Sequence, residues 1–206
     1  MDDVLRRQWE HLRAWLEEED VLGRADLATG LGDWTVGDLV AHLGLGLRLV
    51  QGIAEAPDGT VPITLREYVA AYPPAAAAIA GQTEEIQAEL GDDLLAGLDA
   101  IAAAAFAHLA TIRSPVVLGR RGPISRDDYV LTRLLELVVH GDDLARALDV
   151  PRHPGDPEAV VTVATVLAVG YGEVTGGPPP GAARPLDWIR LAGGRIPSED
   201  PNLPLF

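Results

Sequence analysis

The stretch that decides the fold reads LLELVVHGDDL and runs from Leu134 to Leu144. Its apolar residues suit a helix, and helical residues four positions apart lie one turn apart on the same face. Glu136 and His140 therefore point the same way, from a segment whose other side chains are mostly aliphatic. An unpaired carboxylate buried in such surroundings costs several kcal/mol, so something must compensate its charge.

Two interpretations of this pair stay open at the level of the stretch itself. In the first, Glu136 and His140 give an oxygen and a nitrogen ligand to a divalent metal, with a third ligand from elsewhere in the chain. In the second, Glu136 pairs with Arg133, three residues before it, and His140 is a hydrogen-bonded core histidine. Because a Glu and a His at this spacing also arise by chance, the motif alone does not decide.

A second helix provides the candidate for the third ligand. Thr35 and Asp38 have nearly the spacing of a capping box, which predicts that a helix begins here. The apolar residues that follow recur at helical spacing, and His42 borders their face two turns into the helix. Asp38, four residues before His42, is either a helix cap or a hydrogen-bond partner that orients the imidazole ring.

Elsewhere the apolar residues recur mostly at helical spacing, and few segments favour strands. The predicted helices cover residues 2–22, 35–50, 64–72, 75–108, 125–148, 157–171 and 186–191. The segment 75–108 has a predicted break at Gly91-Asp92-Asp93, and two helices or one kinked helix fit it equally well. We expect Pro73-Pro74 to end the third helix, and residues 114–124 to form a short extended segment or hairpin. This order favours an all-α bundle, in which ligands from facing helices meet in the core.

Composition restricts the partners and the chemistry. The formal net charge of −15 argues against a nucleic-acid or anionic-membrane partner, because like charges repel. The chain has no cysteine, so any thiol chemistry requires an external thiol. It begins without the pattern of a signal peptide, and no run approaches the roughly 20 apolar residues of a membrane span. We therefore expect a cytoplasmic protein. We also expect it to be either a monomer or a homodimer.

Two separated motifs resemble the paired signatures of the mycothiol-dependent maleylpyruvate isomerase family, which belongs to the DinB-like superfamily. They are DWTVGDLVAHL, from Asp33 to Leu43, and ELVVHGDDLA, from Glu136 to Ala145. The resemblance implies a DinB-like four-helix bundle with a divalent metal, usually zinc, although nickel is another option. Its implied ligands are His42, Glu136 and His140. It also implies mycothiol, a thiol of actinobacteria, as a cofactor, and the arginine-only basic residues of this chain fit a GC-rich source.

The resemblance covers about residues 1–150, which we expect to form the metal-binding helical bundle. Residues 151–206 should add a short C-terminal helical extension, a Pro/Gly linker and an extended tail that pack on the bundle. The family's isomerase carries a C-terminal α/β domain, and no position of this short tail matches its functional residues.

Three functional hypotheses follow. In the leading one, the protein is a thiol-dependent transferase or isomerase that acts on a small electrophile. In the second, a metal-dependent hydrolase uses metal-bound water, with Asp143 as a possible base. Two other interpretations of Asp143 stay open: it is a hydrogen-bond partner of a metal ligand, or a solvated residue near the helix end. In the third, the bundle is not an enzyme and the metal steadies its core or a partner interface.

Overall fold

The computed structural model describes residues 1–70, 76–91, 93–181 and 184–205. The helices are α1 (Asp2–Glu18), α2 (Val36–Arg48), α3 (Leu65–Ala70), α4 (Ala76–Leu90), α5 (Leu94–Leu109), α6 (Arg126–Ala147), α7 (Pro157–Thr175) and α8 (Pro185–Ala192), with single-turn 3-10 helices at Leu22–Arg24 and Leu49–Gly52. The strands β1 (Ala54–Glu55), β2 (Val116–Gly119) and β3 (Gly122–Ser125) form one small antiparallel sheet. The predicted all-α class is confirmed.

Helices α1, α2, α5 and α6 form the bundle. Helix α2 packs against α4, α5 and α6, while α1 packs against α5 and α6. Gly44 of α2 has no side chain, which lets Leu98 of α5 pack directly against the α2 backbone. Helix α6 begins at the Ser125 cap, whose hydroxyl accepts a hydrogen bond from the Asp128 N–H at 3.0 Å. This packing places one face of α6 opposite α2 in the interior.

A capping box fixes where α2 begins. The Thr35 N–H donates to Asp38 Oδ2 at 2.9 Å, and the Asp38 N–H donates to Thr35 Oγ1 at 3.2 Å. Asp38 is therefore a cap, as one of the two sequence interpretations proposed. Because the box sets the first helical residue, it also sets where the His42 side chain leaves the helix two turns later.

We expect the substitution Thr35→Ala to lower the free energy of unfolding by about 1 kcal/mol, because it leaves the Asp38 N–H without its acceptor. Urea denaturation measures this loss. The control is Thr165→Ala, at an exposed position inside α7, where alanine is a better helix former and stability should hold or rise slightly. Equal losses in the two variants would contradict the assigned role of the box.

The predicted break at Gly91-Asp92-Asp93 separates two helices. Helix α4 ends at Leu90, and the Asp93 carboxylate caps α5 by accepting from the Ala96 N–H at 3.2 Å. Asp92 lies outside the described residues, as do Tyr72 and the Pro73-Pro74 pair that were expected to end the third helix.

The segment predicted as an extended piece or hairpin is a hairpin made of β2 and β3. Val117 pairs with Ile124, and both side chains are fully buried against the bundle. Strand β1 was not predicted, because two residues are too short to show a strand pattern. The turn of the hairpin carries Arg120 and Arg121 towards α4, where Arg120 donates a 2.6 Å hydrogen bond to Gln82.

Helices α7 and α8 pack on each other, and α7 also packs on α1 and α6. Of the described helices, α7 alone is long and apolar enough to cross a membrane, by length and composition only. The expectation that no segment has these properties was therefore wrong. The central helix of a water-soluble protein passes the same test, so this is weak evidence for a membrane span.

Candidate metal centre

Three side chains from two helices converge on one point of the bundle. His42 of α2 and Glu136 and His140 of α6 each offer one ligand atom, and these atoms lie within 4.8 Å of one another. Glu136 Oε2 is 3.4 Å from His42 Nε2 and 3.3 Å from His140 Nε2. In a tetrahedral site with metal–ligand distances of about 2.0–2.1 Å, ligand atoms lie about 3.3–3.4 Å apart. The donor set therefore fits a divalent metal, and the two distances from Glu136 fit tetrahedral coordination.

The hydrogen bond at the far side of the His140 ring supports this fit. His140 Nδ1 lies 3.0 Å from Asp143 Oδ2, and an ionised carboxylate only accepts, so Nδ1 carries a proton. Neutral His140 then turns the lone pair of Nε2 towards the Glu136 carboxylate. Two electron-rich atoms face each other in this arrangement, so a cation is required between them, either a proton on Nε2 or a metal ion.

The second nitrogen of His42 also has a partner. His42 Nδ1 lies 3.4 Å from the hydroxyl oxygen of Thr83, and that hydroxyl donates to the carbonyl oxygen of Ile79 at 3.0 Å. Thr83 Oγ1 is thereby left to accept from Nδ1, which directs the Nε2 lone pair of His42 to the centre. The rings of Trp34 and His140 contact the His42 ring edge-on, at centroid distances of 4.9 and 5.0 Å.

The three groups perturb one another electrostatically. Burial disfavours the charged forms of Glu136 and His140, but the hydrogen bonds between them outweigh it. The pKa of Glu136 falls well below its usual range, with Arg133 adding to the effect through its charge. Burial lowers the pKa of His140, but the hydrogen bonds to Asp143 and Glu136 prevail and raise it to about 9. Burial lowers the pKa of His42.

A pH dependence of the metal-free protein follows from the His140 pKa. Because the folded-state pKa of about 9 exceeds the ordinary value of 6.5, the protonated ring stabilises the fold below pH 6.5, and this stabilisation is lost as pH rises through 9. We expect a loss on the order of 3 kcal/mol, measured by urea unfolding in the presence of a chelator. The variant His140→Gln should lack this dependence. Identical pH profiles for the two proteins would contradict it.

The buried carboxylate of Asp143 accepts a hydrogen bond from Nδ1 of His140, the ring nitrogen that faces away from Glu136. The Asp143 side chain is 3% exposed, so it is not the solvated helix-end residue that was one of its interpretations. Arg195, which follows α8, donates to both oxygens, with Nε 3.0 Å from Oδ1 and Nη2 2.8 Å from Oδ2. Burial opposes ionisation, but the hydrogen bonds from His140 and Arg195 prevail and lower the pKa of Asp143 to about 2.

The cluster opens on a cavity of about 200 Å³. His42 and Glu136 lie in its wall, and their side chains are 12% and 13% exposed. Among the described lining residues are three arginines, Arg120, Arg121 and Arg133. Glu136 is the one carboxylate among those same residues. In a chain with a net charge of −15, this wall is a local concentration of positive charge.

Residues 5–145 match the family described as the mycothiol maleylpyruvate isomerase N-terminal domain. The chain belongs to this family. The match includes both sequence motifs and confirms the resemblance together with its DinB-like all-α fold. No curated protein and no solved structure matches the chain.

Membership of the mycothiol maleylpyruvate isomerase family makes the chain part of a metal-binding, mycothiol-related group. The structure brings together the three side chains predicted as ligands and places Asp143 directly behind them. Sequence reasoning missed Thr83 and Arg195. Thr83 is a buried polar residue in an Ala-rich helix, and Arg195 lies beyond the residues that match the family.

Proposed function

We propose that the protein binds a divalent metal, zinc in the first instance, through His42, Glu136 and His140, and catalyses a thiol-dependent transfer or isomerisation of a small anionic electrophile. The observation that carries the proposal is the cluster of these three side chains, of which His42 and Glu136 line a cavity together with three arginines. Three protein ligands leave a fourth position for a small molecule, which is typical of catalytic rather than structural zinc.

The thiol is the first substrate, and we propose mycothiol for this role on the basis of the family. When bound, the metal supplies acidity, because a coordinated thiol loses its proton and becomes a nucleophile near neutral pH. The chain has no cysteine of its own, so the thiol comes from outside. The residues of the chain hold the donor atoms in place: Asp143 orients His140, and Thr83 orients His42.

The electrophile is the second substrate, and the arginines favour an anion. A guanidinium group binds a carboxylate with two parallel hydrogen bonds, which fixes orientation as well as charge. Arg120 and Arg121 approach the cavity from the hairpin turn, and Arg133 approaches from α6, one turn before Glu136. A carboxylated electrophile held by these groups would lie beside the thiol position.

The hydrolase alternative has less support, since it needs a base for water. Asp143 was the candidate base, but both of its oxygens accept hydrogen bonds from Arg195, and Oδ2 also faces His140 Nδ1. These contacts favour an orienting role. The division into a bundle of residues 1–150 and a C-terminal part of residues 151–206 stays a prediction, as does the cytoplasmic location.

The test compares dimethyl maleate with monomethyl maleate, which carries one carboxylate, as acceptors for mycothiol or a simpler thiol. Zinc-loaded protein should consume the acceptor only when thiol is present, at a rate that exceeds the uncatalysed reaction by a larger factor for the carboxylated compound. Maleylpyruvate, the compound in the family name, serves as the isomerisation substrate. Consumption that needs the metal but no thiol would favour the hydrolase.

Arginine variants test the anion preference. Because a hydrogen bond to a charged group contributes about 1.5–3 kcal/mol, the double variant Arg120→Ala/Arg121→Ala should raise KM for monomethyl maleate by roughly 10-fold or more. KM for dimethyl maleate should stay nearly unchanged. The matched control is Arg13→Ala, at an arginine that bonds Asp99 and Glu17 at the surface. Equal effects on the two acceptors would remove the arginines from substrate binding.

A further inference from the structure

The C-terminal segment contacts the surroundings of the metal centre through Arg195. Arg195 lies 52 positions after Asp143 in the chain, yet its guanidinium group binds both oxygens of that carboxylate. The two side chains are 16% and 3% exposed, so the pair is largely shielded from water. A shielded bidentate pair of this kind holds the carboxylate in one orientation.

The backbone around Arg195 is itself held in place. Gly194 has φ of +70°, a left-handed conformation that suits glycine, and it reverses the chain after α8. The Arg195 N–H donates to the carbonyl oxygen of Arg190 at 2.8 Å, and the Arg195 carbonyl oxygen accepts from Arg146 Nη2 of α6 at 3.1 Å. The turn therefore presents Arg195 to α6 in a fixed position.

A second ion pair lies beside the first and offers a comparison. Arg190 of α8 donates to both oxygens of Asp142, at 2.8 and 2.6 Å, and Asp142 is 2% exposed. Both pairs hold the end of α8 and the following turn against α6. The difference is that Asp143 Oδ2 also accepts from His140 Nδ1, whereas the described partners of Asp142 are Arg190 and His153.

We infer that Arg195 is a positioning residue of the metal centre, acting through Asp143 on the ring orientation of His140. This inference rests on the proposed function, because it requires His140 to be a ligand. Removing a hydrogen-bonding partner of a metal-bound histidine typically costs 10–100-fold in metal affinity. Arg195 is one contact further out, so its loss should cost about 10-fold. The segment after α8, outside the family match, is thereby a working part of the site.

The test measures zinc affinity by chelator competition in the full-length wild type, Arg195→Gln and Arg190→Gln. Arg195→Gln should raise the zinc Kd by about 10-fold and shift the ligand-field bands of the cobalt-loaded protein. Arg190→Gln should lower the Tm of the metal-free protein while changing the zinc Kd by less than about 2-fold. Arg195→Lys, which keeps the charge but lacks the planar fork, should fall between wild type and Arg195→Gln.

The outcomes separate this inference from the proposed function. If wild type binds zinc tightly and Arg195→Gln leaves both the Kd and the cobalt bands unchanged, the positioning role is wrong and the metal site stands. If Arg195→Gln and Arg190→Gln raise the Kd equally for an equal loss of Tm, both pairs are purely structural. A wild-type protein that binds no zinc overturns both proposals.

Discussion

Replacing any one of His42, Glu136 and His140 should lower zinc affinity by at least about 100-fold, because losing a ligand costs more than the 10–100-fold of losing a partner of a ligand. The informative variants are His42→Ala, Glu136→Gln and His140→Ala. Glu136→Gln keeps the size of the side chain but removes its charge, so it separates ligation from packing. Chelator competition followed by metal analysis gives the affinities.

The matched control for these variants is His108→Ala. His108 lies in α5 and contacts the carbonyl oxygen of Ile53 through Nε2 at 2.9 Å, so it is a hydrogen-bonded structural histidine. Its replacement should leave zinc affinity unchanged even if stability falls. Wild-type affinity in all three ligand variants would show that zinc binds elsewhere, and a loss shared with His108→Ala would show a general effect on the fold.

The second large effect concerns the thiol. When cobalt replaces zinc, a coordinated thiolate adds a sulfur-to-metal charge-transfer band, and the thiol-free protein should lack this band because the chain has no cysteine. Binding should tighten as pH rises towards the pKa of the free thiol, since coordination releases its proton. The His42→Ala variant should show little of the band, because its metal is weakly held.

The thiol experiment can fail in an informative way. Fully cobalt-loaded protein that shows no band at millimolar mycothiol, or with simpler thiols at the same concentration, would contradict thiol ligation. The proposal of a thiol-dependent reaction should then be dropped in favour of a hydrolase or a structural metal. Removal of the metal distinguishes the hydrolase from the structural role. It should lower the Tm strongly if the ion is structural, and leave the fold nearly intact if the ion is catalytic.

Local signals predicted the two helices that carry all three donor atoms. The capping box of Thr35 and Asp38 depends on contacts within four residues, and it marks the start of α2 correctly. The spacing of Glu136 and His140 places them on one face of α6 for the same reason. Such contacts can be read from sequence because the helix itself determines which side chains meet.

Contacts between distant segments could not be read in this way. His42 lies 94 positions before Glu136. Its place on the helix face made it a candidate for the third ligand, and the family resemblance then implied the full set of three. The arginines of the cavity come from a hairpin turn and from α6, which no periodicity connects. Arg195 was missed for this reason too, although Asp142 and Asp143, adjacent acids in an apolar helix, indicate that distant cations are needed.

The most direct measurement of the central claim is the zinc K-edge X-ray absorption spectrum of the zinc-loaded, thiol-free protein. We predict one zinc per chain, with nitrogen and oxygen neighbours at about 2.0–2.1 Å, two imidazoles among them and no sulfur. Added mycothiol should introduce one sulfur at about 2.3 Å. A first shell of oxygen atoms alone, or a spectrum unchanged in His42→Ala and His140→Ala, would contradict the assignment of these residues as the ligands.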